Sequence, residues 1–228
     1  MTGRIYTMIS PMLLPIINQD IIDENGRPIK DWSSRVRVVE GTFDGGMGFQ
    51  GQGRPFGHGI RVDPTTLPNR IRFAVKQRVR DLPDVLYQAP QYLATAAFRD
   101  VVEALEPGVH QIHPLTMTWR DGSPAPDRWI VLPTQRLDTA DRQRTTWVFA
   151  SNPVRGWSWW DDPSRNDKSI PKARFVIDSA KVAGRHLWVD KFFLVPVHFV
   201  SDEFRRACAG VRGLKFTPIE EFDWLGVS

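Results

Sequence analysis

The sequence predicts an α+β fold: one or two mixed sheets of short strands, with two principal helices near residues 95–106 and 201–210 packed on them. Three observations predict it. Short apolar runs rich in β-branched and aromatic residues recur along the chain, two stretches carry a helical stripe, and glycine and proline turn signals separate the pieces.

The C-terminal unit shows this best. Leu187-Trp188-Val189 followed by Phe192-Phe193-Leu194-Val195 reads as one strand covered on both faces. Ser201 before Asp202-Glu203 reads as a helix N-cap with two carboxylates in the first turn. Phe204, Ala207, Cys208 and Val211 fall at i, i+3, i+4 and i+7, Gly210 and Gly213 can end the helix, and Leu214 to Ile219 returns as a strand. An earlier stretch repeats the plan. Val85-Leu86-Tyr87 is a strand, Thr95 can cap a helix with Phe98, Val101, Val102 and Leu105 on one face, and Gly108 ends it. Thr95-x-x-Phe98-Arg99 parallels Ser201-x-x-Phe204-Arg205, a weak strand–helix–strand pseudo-repeat.

In chain order, Ile5 to Ile9, Leu13 to Ile17 and Val36 to Val39 read as strands, and Glu24 to Pro28 as a turn. Residues 41–59 hold eight glycines in nineteen positions, which reads as a loop. Gly46-Met47-Gly48-Phe49-Gln50-Gly51 fits G-x-G-x-x-G, but Gly53-Arg54-Pro55 follows where a dinucleotide site needs a helix, so nucleotide binding is not expected. Ile71, Phe73, Val75 and Val79 alternate with Arg70, Arg72, Lys76, Arg78 and Arg80, giving a strand with one apolar and one basic face. The basic face is either a solvated or edge-protecting surface, or a contact for an acidic partner through residues such as Arg72 and Arg78.

Trp129 to Leu132 and Thr145 to Phe149 are further strand candidates. Trp157, Trp159 and Trp160 then stand beside Asp161 and Asp162, in a stretch that runs into a polar, proline-punctuated loop from Asp161 to Lys172. On a strand of period two these three rings cannot all face inward. Tryptophan is enriched at binding hot spots, so Trp157, Trp159, Trp160, Asp161 and Asp162 are candidates for a recognition patch; a satellite core under a long loop is the rival reading. The chain divides into an N-terminal strand- and glycine-rich part, residues 1–80, and a C-terminal α+β part, residues 81–228, which together can also form one continuous domain.

Composition excludes several function classes. The single cysteine, Cys208, rules out an intrachain disulfide framework, and its place on the helix stripe makes it a buried structural thiol. The net charge of +4 is evenly spread, with 14 basic and 12 acidic groups over residues 1–120 and 16 and 14 over residues 121–228, whereas phosphate tracking calls for a concentrated patch. Pro11 and Pro15 break the apolar run after Arg4, and no run reaches the roughly 18 apolar residues of a membrane span. A cytoplasmic protein is expected. Among the five histidines, His110 and His113 are three apart on a strand, and no zinc-helix, nucleophile-elbow, phosphate-loop or calcium-loop pattern occurs. No catalytic residue, metal or cofactor is expected.

The C-terminal wording carries a family resemblance. Phe193, Val195, Pro196, Val200, Ser201, Phe204 and Arg205, then Gly213, Leu214, Phe216, Pro218 and Ile219, resemble the end of a bacterial immunity protein family of polymorphic toxin systems, family eleven. Asp81-Leu82-Pro83-Asp84 and Phe175-Val176-Ile177-Asp178 are similar too, so the likeness extends from about Asp81 onward. It implies a protein that binds a cognate secreted toxin, encoded by a neighbouring gene, and blocks it by occlusion without catalysis. Neither a membrane nor nucleic acid is an expected partner. An enzyme of unknown reaction and a nucleic-acid-associated protein are the alternatives.

Overall fold

The computed structural model describes residues 4–9, 19–30, 35–39, 43–47, 55–74, 81–88, 91–164, 167, 169, 171–194 and 197–221. In chain order the strands are β1 (Ile5–Ile9), β2 (Gln19–Ile21), β3 (Arg70–Phe73), β4 (Val85–Gln88) and β5 (Gln91–Ala94), followed by helix α1 (Ala96–Leu105). Next come β6 (Gln111–Thr118), β7 (Arg128–Leu132), β8 (Arg136–Leu137), β9 (Val148–Asn152), β10 (Trp157–Asp161), β11 (Leu187–Asp190) and β12 (His198–Ser201). Helix α2 (Asp202–Ala207) and β13 (Lys215–Pro218) complete the set. The α+β class read from the sequence holds.

The strands form a six-stranded sheet in the order β2-β3-β6-β7-β5-β4, a five-stranded sheet in the order β13-β1-β12-β11-β8, and a two-stranded ribbon of β9 and β10. Strand β1 lies between β12 and β13, antiparallel to both. Strands from both sides of residue 80 therefore contribute to each of the larger sheets. Helix α1 joins β5 to β6, which flank the antiparallel β7, and α2 joins β12 to β13, which flank β1 in the same way.

The two helices pack together where the larger sheets meet. One buried cluster takes Met8 from β1, Tyr92 and Ala94 from β5, Val131 from β7, Leu187 and Val200 from β11 and β12, and Phe98, Val102, Phe204 and Cys208 from the helical segments. The rings of Phe98 and Phe204 meet edge-on at 6.0 Å between centroids, an arrangement favoured by their quadrupoles. Phe204→Ala is expected to cost about 3–5 kcal/mol of stability; an unchanged denaturation midpoint would show that this ring does not hold the core. Cys208 is buried here, and burial pushes its thiol up to about 12, the behaviour of an inert structural cysteine.

Several local expectations hold and several are corrected. Ser201 does cap α2, its Oγ accepting from the Phe204 N–H at 3.1 Å. Thr95 occupies the N-cap position of α1 but makes no side-chain cap bond; its hydroxyl donates to Asp84 Oδ1 at 3.3 Å instead. The apolar run from Leu187 is not one strand. It stops at Asp190, whose buried carboxylate accepts the Phe192 N–H two residues on, at 2.8 Å, and turns the chain. Thr139 donates to the same carboxylate through its N–H and its hydroxyl, at 2.8 and 2.7 Å. Gly213 closes the second helical unit at φ +91°, with the Val85 carbonyl 2.5 Å from where a Cβ would stand, so only glycine fits. Leu13 to Ile17 and most of the G-x-G-x-x-G segment lie outside the described residues.

Candidate functional site

The tryptophan stretch is the second strand of an antiparallel ribbon in which Trp157 pairs with Asn152, Trp159 with Ala150 and Trp160 with Phe149. Asn152 builds the turn: its Oδ1 accepts the N–H groups of Val154 and Arg155 at 3.0 Å each, and Gly156 supplies a φ of +70°. The spacing of two β-rich runs around Asn152-Pro153-Val154-Arg155-Gly156 is the sequence signal for this hairpin.

Period two then sorts the tryptophans. Trp160 faces the core and is 4% exposed, with its ring 4.8 Å from Phe149 and 5.8 Å from Phe175. The Arg142 guanidinium lies 4.4 Å from the Phe149 ring centre and 5.4 Å from that of Trp160, a cation–π lid on the cluster. Trp157 and Trp159 stand on the opposite face, half-buried, beside the exposed Asp161. Asp162 turns inward, accepting the Ser164 N–H and hydroxyl at 2.9 and 2.6 Å in a tight local turn. It structures the chain after the ribbon.

Sequence reading missed the aliphatic part of this surface. Val148 is 53% exposed, Phe149 36% and Val154 93%, and Phe43 approaches the turn closely enough that a Cβ on Gly156 would lie 3.6 Å from its ring. The Gly45 carbonyl accepts the Ser158 N–H at 2.8 Å, so the start of the glycine-rich stretch runs along the ribbon. Four of the seven exposed large hydrophobic side chains among the described residues lie on the ribbon or at its turn, Val148 on the Trp159 face and Phe149 on the Trp160 face.

Arg72 belongs elsewhere. It sits on β3, within the six-stranded sheet, where its Nη1 donates to the Gly26 carbonyl at 3.1 Å and its Nη2 meets Asp20 of β2 at 3.4 Å. β3 has neighbours on both sides, so edge protection does not explain its arginines. The apolar–basic alternation is seen over residues 70–73, while Arg78 lies outside the described residues.

The buried polar groups are structural. Glu106 receives the Gln135 Nε2–H and the His186 N–H on Oε1, and the Leu187 N–H on Oε2. His110 accepts the Thr134 N–H on Nδ1, so its Nε2 carries the proton donated to Glu106 at 2.7 Å. Among the described residues no group of three or more His, Cys, Asp or Glu side chains is arranged to hold a metal ion. No helix there is long and apolar enough to cross a membrane.

These groups do set a pH response. Burial pulls His58 down to about 4 and His198 down to about 3. Burial raises Asp190 to about 6, against the hydrogen bonds from Thr139 and Phe192. The histidines bind protons more readily once unfolded, so the stability they allow is lost as pH falls from 6.5 towards 4. Asp190 acts oppositely, holding its proton more tightly when folded between 3.8 and about 6. His113, also lowered by burial, acts with the two histidines, so the histidines outweigh Asp190 and stability falls as pH drops from 6 towards 4. The melting temperature is expected to fall between pH 7 and pH 5; a level or rising profile would contradict this balance.

The fold and the ribbon together define an α+β protein with half-buried tryptophans and exposed apolar side chains on a two-stranded ribbon. The sequence profile of the immunity protein family Imm11 matches residues 11–221, and the chain belongs to that family. The match reaches well upstream of Asp81, where the sequence likeness begins to be visible by eye. No curated protein matches the chain at significant similarity.

Proposed function

We propose that this immunity protein binds a cognate secreted toxin, encoded by a neighbouring gene, in the cytoplasm of the producing bacterium and blocks it by occlusion, without catalysis. The observation that carries the reading, beside family membership, is the ribbon: Trp157 and Trp159 half-buried on one face with Val148 exposed beside them, and Val154 and Phe43 exposed at the turn. Binding alone suffices for protection. A standard interface buries roughly 800 Å² per partner, and its energy concentrates in a few desolvated aromatic anchors. Asp161 and Arg155, whose guanidinium carbon lies 5.4 Å from the Trp157 ring centre, supply a charged rim that affects association rate more than affinity.

The test is co-expression with the adjacent gene product, followed by co-purification and growth rescue. A stable complex that restores growth is expected, and the absence of both would overturn the reading. The nucleic-acid alternative is checked in the same preparation. Arg72 is already engaged by Asp20 and Gly26, so no specific DNA binding is expected at physiological salt. A salt-dependent gel shift abolished by Arg72→Glu with Arg78→Glu would favour that alternative.

A further inference from the structure

The two edges of the ribbon differ. On β10 the Ser158 N–H is taken by the Gly45 carbonyl and the Trp160 N–H by the Phe192 carbonyl, at 2.8 and 2.9 Å, so these groups point away from β9. In an antiparallel pair the direction alternates. Trp157, Trp159 and Asp161 therefore bond to Asn152, Ala150 and Val148 across the ribbon, while Phe149 and Ser151 aim their N–H and C=O groups outward. Among the described residues nothing takes those four groups. The strand Val148-Phe149-Ala150-Ser151-Asn152 also lacks the charged or proline residues that usually blunt an open edge.

We propose that this edge of β9 receives an extended strand of the toxin, extending the ribbon to three strands by β-augmentation. The proposal rests on the immunity reading above and specifies how its surface is used. The incoming strand would bond to Phe149 and Ser151, and alternate side chains would lie beside Val148 and Ala150 on one face and Phe149 on the other. Charge selects its ends. Arg155 stands at the turn, and Arg142 and Arg144 at the base are paired with Asp138 and Asp141 at 3.0 and 2.7 Å yet keep side chains 46% and 65% exposed. A second copy pairing antiparallel about Ala150 would bring each Arg155 towards the other's Arg142–Arg144 end. The fitting occupant is instead a strand apolar at its centre and acidic at its ends.

Hydrogen exchange on the wild-type protein, alone and with the co-purifying toxin, tests this. The Phe149 and Ser151 amides should exchange fast in the free protein and be protected at least tenfold in the complex, with Ala150 and Asn152 slow in both. Ser151→Pro removes one outward donor and, within the ribbon, only the hydroxyl contact with Ser158, and should raise Kd at least tenfold with the melt unchanged; Ser151→Ala, which loses that hydroxyl contact alone and so serves as its control, should not. A tight complex in which Phe149 and Ser151 stay fast sinks the edge proposal and leaves the immunity reading standing. A stable homodimer dissolved by Ser151→Pro would show that a second copy takes the edge, and no complex at all would remove both readings.

Discussion

Glu106→Ala is expected to lose about 3–5 kcal/mol of folding stability. Glu106 caps the C-terminal end of α1, where the helix dipole disfavours a carboxylate. Burial opposes its charge as well, yet the hydrogen bonds from His110, the His186 N–H and Gln135 hold its carboxyl below the usual range. Truncation would leave the buried Gln135 amide, the His110 Nε2–H and two backbone N–H groups at the start of β11 without acceptors at once. Because two of the donors are backbone N–H groups at the entry to β11, amide exchange at His186 and Leu187 should accelerate together. A loss under 1 kcal/mol in urea denaturation would show that solvent replaces the carboxylate.

Trp160→Ala and Trp159→Ala are expected to separate folding from binding. Trp160 packs on Phe149 and Phe175, and its indole N–H has no acceptor among the described residues, so truncation loses packing without breaking a hydrogen bond. The expected cost is about 3–5 kcal/mol of stability. Trp159 lies on the other face, half-buried, paired across the ribbon with the small Ala150. Its truncation should leave the melt unchanged and weaken toxin binding by about 2–4 kcal/mol; the lower figure is roughly a thirtyfold rise in Kd. Calorimetry against the toxin decides. Wild-type affinity for Trp159→Ala would take this face out of the interface, and a folded, fully stable Trp160→Ala would take that ring out of the core.

Much of the scaffold was legible because it depends on neighbours in sequence. The stripes of Phe98 and Val102 and of Phe204 and Cys208, the Ser201 cap and the glycine stops encode both helices through short-range periodicity. The alternation of Arg70, Ile71, Arg72 and Phe73 encodes a strand with two unlike faces. The break in the Leu187 run was not legible. It combines the local turn bond from the Phe192 N–H with the bonds that Thr139, some fifty residues away, gives the same carboxylate, and no local pattern announces the latter. The short β5 and β8 escaped for a related reason, since two to four residues carry too little periodicity to stand out.

Residue order alone carries the α+β class, the two helices, the family wording after Asp81 and the rule that three tryptophans in four positions must split between two faces. Which ring goes where is settled by long-range packing. Trp160 turns inward because Phe149, Phe175 and Arg142 meet there, and Trp157 and Trp159 are left outward by the same period. Long-range contacts also decide that Arg72 answers Asp20 across a strand pair, that Glu106 anchors β11, and that β9 keeps an open edge while β10 is covered by Gly45 and Phe192. Each of these joins residues far apart in the chain, and a partner at long range is chosen by packing and register, which a local pattern does not specify.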